Sequence, residues 1–534
     1  MKSMKKLVLA GLILLASVVV LAGCKNDSVP EVPKHTVDPV TFDSPNGTRF
    51  YYDETVTVTL ATTTEGATIK YHLGDENWQD YSEEITVTSD TTITAKATKE
   101  GLKDSDETTA SYTVRKLTAI SISPQTQTVY SVDESFDSTV VLTATYDDGE
   151  DRPVEGTIIS DSSELTQSHG LNKEVTVSYS EGGITKEATF TIDVASYKFT
   201  ETVQEADSVY QGTMSGGKYK KFGDWPQTVM GTDVTVGRGT LVRGGFTYHV
   251  GSDGNYYVKT EEKAYESGSA YQYSDGTQAG QDGTSEKWFK VEPIVWRVLI
   301  DNYSVPRENG ELQSTGNALL LAEKILTGGI PYYSVYDVRR KIGGVQILPN
   351  NYEHSQIRAF LNGLSYEYKE SYSTKQIEKD EYKDAGFLQT AFTTSAQNLI
   401  AETTVDNSKE STNPDGNATL WNDGENEYAC DNTKDKIFLF SEQEATTEGY
   451  GFAAYDAYKK GNTRIRVTTD YAKATGAYQD SEAGYDGGWW WLRSPYCVDE
   501  RKACYISSAG SAYNDDYVWY SDGGIVPALC IKLQ

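Results

Sequence analysis

The chain has 534 residues, with 48 Lys and Arg against 78 Asp and Glu, for a formal net charge of −30. Such a surface repels nucleic-acid phosphates and anionic lipid headgroups, which excludes nucleic acid as a partner and leaves cationic peptides, divalent cations and neutral glycans. The length exceeds a single domain, and 38 Tyr with 9 Trp supply aromatic rings in quantity.

The first 24 residues read as an export signal. Lys2, Lys5 and Lys6 form a basic start, Leu7 to Leu21 carries no charge, and Leu21-Ala22-Gly23-Cys24 follows. The run is too short and wrongly flanked for a spanning helix, and no later segment is apolar for long enough. The Leu-Ala-Gly-Cys tetrapeptide resembles the lipobox of bacterial lipoproteins. That resemblance implies a signal peptide over 1–23, diacylglyceryl on the Cys24 thiol, the lipid bilayer as a partner and a location on the cell envelope, facing outward. The alternative is an ordinary leader with an incidental cysteine. Two or three acyl chains anchor firmly, at about 0.8 kcal/mol per buried methylene. Residues 24–37 are polar with two prolines and read as a tether.

Residues 38–115 alternate apolar and polar with period two, as strands do. Val56, Val58 and Leu60 share a face, as do Ile69, Tyr71 and Leu73, then Ile93, Ala95 and Ala97, and finally Tyr112 and Val114. This predicts an antiparallel β-sandwich. The stretches FDSPNGTRF, VTVTLATTTEGATIKYHLGD and TITAKATKEGLKDSDETTASYTV resemble the chitobiase/β-hexosaminidase C-terminal-type domain. That family is an Ig-like accessory module without catalysis of its own. Residues 116–196 predict a second sandwich, with a hairpin in which Val175, Val177 and Tyr179 run out, Gly182-Gly183 turn, and Phe190, Ile192 and Val194 return. It resembles bacterial Ig-like domains. Its acidic run Asp147, Asp148, Glu150, Asp151 offers oxygen ligands for calcium, but without EF-hand spacing a solvated turn is the simpler reading.

Residues 197–534 mix both periods. VEPIVWRVLID reads as a strand with Ile294, Trp296, Val298 and Ile300 on one face, and ALLLAEKIL (318–326) is a second apolar segment. YEHSQIRAFLNGL has Ile357, Phe360, Leu361 and Leu364 at helical spacing, with Gly363 near its end. Thr394 to Gln397 and Ser441 to Glu444 have the form of capping boxes. GGIVPALCIKL reads as the last strand, with Pro527 pointing to a sheet edge. The set FGDWPQT, EPIVWRVL, LLLAEKIL, SQIRAFLN, DKIFLFSEQE, WWLRSP and GGIVPAL resembles an uncharacterised bacterial domain family of surface lipoproteins. Through it, the chain resembles C-type-lectin-like folds and formylglycine-generating enzymes. The expected fold is therefore multidomain: two all-β Ig-like sandwiches followed by an α+β C-type-lectin-like domain.

Catalytic patterns are absent from the sequence: it has no phosphate-binding loop, no dinucleotide fingerprint, no HExxH and no recognisable triad. Cys430, Cys497, Cys504 and Cys530 form an even set outside the cytoplasm, which suggests disulfides. Cys497 and Cys504 flank a short polar segment and are the favoured pair; Cys430 with Cys530 follows by elimination. Formylglycine-generating enzymes carry a copper-binding cysteine pair near the C-terminus, but little else here matches them. Trp421-Asn422-Asp423 resembles the WND tripeptide of calcium-dependent lectins, with Asp415, Asn422, Asp423 and Glu425 as hard oxygen ligands for calcium. It departs from that family in lying far from the last strand and lacking the partner motif, which favours a polar loop.

Aromatics are the better lead, since rings beside polar side chains suit sugar faces and peptide groups alike. Tyr513, Tyr517, Trp519 and Tyr520 are the ligand-binding candidates, in SAYNDDYVWYSDGG, and YESGSAYQYSDG (265–276) is a second such loop. In GGWWWLRSPYC, strand alternation sends Trp489 and Trp491 to one face and Trp490 with Leu492 to the other. Only Trp489 or Trp491 is then a further contact candidate, and Arg493 calls for a buried acid or carbonyls. The expected function is a membrane-anchored surface lipoprotein whose non-enzymatic, adhesin-like domain binds a glycan or a host protein. The rivals are an enzyme on the formylglycine-generating-enzyme-like fold and a purely structural envelope protein. Free thiols of Cys497 and Cys504 in a cleft favour the enzyme, a disulfide favours the binder, and buried loop aromatics favour the structural reading.

Overall fold

The computed structural model describes residues 35–532 except 75–76, 126, 137–139, 207–217, 267–270, 308–310, 336–338, 413–427, 453–462, 481–486, 498 and 513–514. Cys24 and its leader, the calcium candidates Asp415, Asn422, Asp423 and Glu425, and Tyr513 lie outside the described residues. The chain is mostly β, with 45% strand and 8% helix. No described helix is long and apolar enough to cross a membrane.

Two compact units divide the chain. The first holds the described residues up to Ala119 with Thr145–Asp151 and Ser180–Ile184; the second holds the rest. In the first unit a five-stranded sheet runs in the order Thr48–Phe50, Thr108–Val114, Thr91–Thr98, Thr68–Leu73, Gln79–Asp80. Two short ribbons, Thr41–Phe42 with Leu60–Ala61 and Val56–Val58 with Ile85–Val87, accompany it. The alternating residues Val58, Leu60, Ile93, Ala95, Ala97 and Tyr112 are buried together. The acidic run opens in an exposed turn, as expected. Asp147 pairs with Arg49, and Asp148 pairs with Arg115 at 2.8 Å.

The strands of residues 117–195 are hydrogen-bonded in one six-membered order around a shared apolar core. The order is closed at one edge by Val129–Ser131, which runs parallel to Ile184–Ala195. The predicted hairpin is present, with Gly182 and Gly183 at φ 58° and 78°, the left-handed pair that a two-residue turn of this hand requires. Val129 and Ala195 share an apolar cluster with Tyr248, Val250, Tyr256, Val258 and Val291, and Asp193 accepts hydrogen bonds from Asn172 N at 2.7 Å and Gly239 N at 2.6 Å. Residues 120–144 and 185–195 are thus packed as one body with the C-terminal region.

That region is built on a nine-stranded sheet whose long member, Glu286–Ile300, pairs with Lys218–Val229, Tyr256–Glu261 and Ala318–Ala322. The FGDWP segment bends here. Gly223 has φ +71°, and a Cβ on it would lie 2.4 Å from the Phe392 ring. Buried Asp224 accepts from Tyr197 Oη, Thr200 N and Thr200 Oγ1 at 2.6–2.9 Å. The last strand, Ala528–Ile531, corrects an expectation. It lies between Ala318–Ala322 and Ile437–Phe438, with all four residues buried. Pro527 stands just before the strand, where no ladder N–H is needed, and its carbonyl accepts from Ala322 N at 2.9 Å.

Short helices cover this sheet. Gln356–Asn362 is capped by Ser355 and ended by left-handed Gly363; Leu364, placed on its apolar face by spacing, falls after that turn and is exposed. Thr393, not Thr394, caps the helix Thr394–Gln397. Ser441 and Glu444 form the predicted reciprocal capping box.

Candidate functional site

The two aromatic segments meet in one three-stranded sheet, Trp490–Pro495, Lys502–Ile506 and Asp515–Tyr517. Trp490, Trp491 and Leu492 are all fully buried and Trp489 is 7% exposed. Trp489 and Trp491 do share a side, with ring centroids 4.8 Å apart, but neither is open to a ligand, which corrects their place among the contact candidates. The cause is a second layer over them: Gly524 N donates to Trp489 O at 2.8 Å, Trp491 N donates to Gly524 O at 3.1 Å, and a Cβ on Gly523 would stand 2.2 Å from Trp491 Nε1.

Arg493 is buried and meets both an acid and carbonyls. It pairs with Glu444, and donates to Leu439 O at 2.7 Å and Asp406 O at 2.9 Å. Glu444 also accepts from Ser441 N at 2.9 Å and from Tyr303 Oη at 2.5 Å. The WWLRSP and FSEQE motifs are therefore two halves of one scaffold.

The following loop is different. Tyr517 and Trp519 stack with centroids 4.2 Å apart, and Tyr520 stands edge-on to both. Lys502 Nζ lies 5.0 Å from the Tyr517 centroid and Arg501 5.9 Å from it. Tyr517 is thus held between neighbours and supports the group. Tyr520 is 41% exposed, and Tyr265, from the earlier aromatic loop, is 46% exposed. Tyr271 and Tyr273 of that same loop are buried.

Residues that the sequence did not single out complete this face. Tyr478 packs on Tyr265 at 5.6 Å, and Tyr505 on Trp489 at 4.8 Å. Asp516 and Asp522 are half-buried, and burial pushes both carboxyls upward; Asp522 and Asp515 raise Asp516 further against the pull of Lys502, whereas a hydrogen bond from Trp489 draws Asp522 back down. Burial, then Asp516, Asp515 and Asp522, push the Tyr505 hydroxyl up to about 12. Burial also raises Tyr265, followed by Asp522, Glu266, Tyr520 and Asp516. The only sequence signal was the run Asn514-Asp515-Asp516 and Ser521-Asp522 beside the rings, one acidic pattern among many in this chain.

Beside the face lies a cleft of about 310 Å³, with Trp225, Phe246, Phe360, Tyr471 and Gly329 in its lining. Gly329 joins the two, because its N–H donates to Ser521 O at 2.8 Å, between Tyr520 and Asp522.

All four cysteines are free thiols, against the expected bridges. Register explains the favoured pair: Trp491 faces Tyr505 and Pro495 faces Ala503, so Cys504 lies opposite the bulged stretch between Trp491 and Pro495 while Cys497 lies beyond the strand's end, whereas a cross-strand bridge needs facing Cβ atoms. Burial raises both thiols, Cys504 far above the ordinary range and Cys497 less, with Glu442 adding to each. Burial also pushes Cys430 to about 11 and Cys530 to about 12. Thiols raised in this way are poor nucleophiles. Among the described residues no group of three His, Cys, Asp or Glu could hold a metal ion.

Residues 315–533 match the model of a family described as a domain of unknown function (DUF6273). The match begins inside the nine-stranded sheet, leaving Lys218–Val229 and Glu286–Ile300 outside it. No curated protein matches the chain.

Proposed function

We propose that this chain is a recognition protein without enzymatic activity, anchored to a bacterial envelope through acylated Cys24 and binding a glycan or a host or other extracellular protein through its C-terminal region. The observation that carries this reading is the exposed aromatic face, where Tyr265 and Tyr520 stand at the surface beside Asp516 and Asp522. Rings flanked by hydrogen-bonding groups are the usual composition of such contacts. The reading includes a C-type-lectin-like fold for the C-terminal region, supported by short helices on a central sheet, and chitobiase-type and Ig-like spacers before it.

The one observation on the side of an enzyme is the pair of free thiols at Cys497 and Cys504. The upward shift of both and the burial of Cys504 oppose it. The exposure of Tyr265 and Tyr520 opposes a purely structural role.

Glycan and matrix-protein arrays probed with the full chain test the binding. Retention on at least one class is expected, lost when Trp519→Ala and Tyr520→Ala are combined. Retention by the double variant at the original strength sinks the proposal. Anchoring is tested separately, by whether Cys24→Ser moves the chain out of the membrane fraction.

A further inference from the structure

We infer that the face and its adjoining cleft take a peptide segment in which an apolar side chain neighbours a cationic one. This rests on the reading of the chain as a recognition protein and names its ligand class.

The cleft supplies the apolar half. Trp225, Phe360 and Tyr471 are its buried floor, and Phe246 and Ile330 are partly open. Its polar groups are already used. Trp225 Nε1 donates to Leu326 O at 2.9 Å. Thr475 Oγ1 accepts from Gly328 N at 2.9 Å and donates to Tyr471 O at 3.1 Å. Thr327 Oγ1 donates to Gly328 O at 3.1 Å, and Lys263 pairs with Glu261 at 2.6 Å. Most of the remaining lining is ring and aliphatic surface, with the exposed Lys263–Glu261 pair also in the lining, and it fits an apolar side chain. A sugar needs donors and acceptors along its faces, and here the Trp225, Thr327 and Thr475 groups are already bonded within the chain.

The face supplies the cationic half. Asp499 and Asp515 are matched by Arg501 and Lys502 at 2.8 and 2.7 Å. Asp516 and Asp522 enter no ion pair among the described residues, although they are half-buried beside Tyr265 and Tyr520. A Lys or Arg head group there gains from the carboxylates and from the ring faces. The formal charge of −30 draws such a ligand in. Because Gly329 borders the cleft and bonds to Ser521, both halves are within reach of one short segment.

The test uses the full chain on an array of immobilised 12-residue peptides of varied composition, beside a glycan array. Bound peptides should be enriched in an aromatic or branched apolar residue close to Lys or Arg. For a selected peptide, Asp522→Asn should weaken binding roughly tenfold and flatten its salt dependence. Ile330→Asp, which sets a charge at the cleft mouth, should weaken it at least as much. If Ile330→Asp fails to fold, Tyr520→Ala at the exposed rim takes its place. Peptides enriched in neither feature, no peptide binding, or folded variants that bind as the parent does would each overturn the inference. Glycan binding lost in Tyr520→Ala, with no peptide retained, would overturn it while leaving the recognition reading in place.

Discussion

Trp489–Trp491 and Tyr517–Tyr520 are both aromatic, the first at the start of one outer strand of a small sheet and the second at the end of the other, yet they do opposite work. The tryptophans are sealed between the sheet and the Gly523–Gly524 crossing, and their neighbour Arg493 is locked to Glu444. The second group rests on Lys502 and Arg501 from one side and leaves Tyr520 exposed. The difference shows that aromatic density does not mark a ligand site. What marks one here is rings held in place from beneath, next to two carboxylates, Asp516 and Asp522, that enter no ion pair among the described residues.

The comparison breaks first at the scaffold. Trp490→Ala should cost about 3–5 kcal/mol through its cavity. Arg493→Ala should cost about 3–5 kcal/mol because Glu444 stays buried without its partner. Urea denaturation should show both losses. Stability within 1 kcal/mol of the parent would mean the two regions do not differ as described. A smaller effect is expected at Gly523→Ala, where the new methyl meets Trp491 and Trp489; overpacking of this kind costs about 1–3 kcal/mol, read as a lower denaturation midpoint at unchanged slope. Tyr517→Ala removes a stacked support rather than a contact, so it should cost about 0.5–1.5 kcal/mol, and its binding should fall less than that of Tyr520→Ala. Tyr520→Ala itself should stay within about 0.5 kcal/mol of the parent in stability.

The sequence made part of this readable. Alternation predicted the strands, the Gly182-Gly183 hairpin and the opposite facing of Trp490 from Trp489 and Trp491, because side-chain period follows backbone geometry locally. The Ser441–Glu444 box was legible for the same reason. Burial of both tryptophan faces was not, since the covering Gly523–Gly524 segment comes from more than thirty residues further on. The interior place of Ala528–Ile531 was hidden likewise: Pro527 carries a local signal, but sheet order is set by partners distant in the chain. Register also decides the cysteines, and a spacing of seven residues says nothing about which ones face each other. For the site, the loop rings were legible as candidates, while the choice of Tyr265 and Tyr520 over Tyr271 and Tyr273 depends on what packs above them.

The smallest predicted effect is the sharpest on function. Asp522 faces the Trp489 side chain, with Asp516, Tyr265 and Tyr505 around it; Asp516 also faces Lys502 and Asp515. Burial is the first cause of the upward shift in both carboxyls. A carboxyl raised in the folded state costs nothing below its unfolded value, where both states are protonated, and costs its full amount above the folded value. Asp522→Asn should therefore leave stability unchanged in acid and raise it by a few tenths of a kcal/mol near neutrality, measurable as a pH-dependent difference in urea midpoint. A carboxylate kept at such a position works against folding, as binding groups often do. If Asp522→Asn instead destabilises at every pH, the carboxylate serves to hold Trp489, and the two aromatic regions are one scaffold.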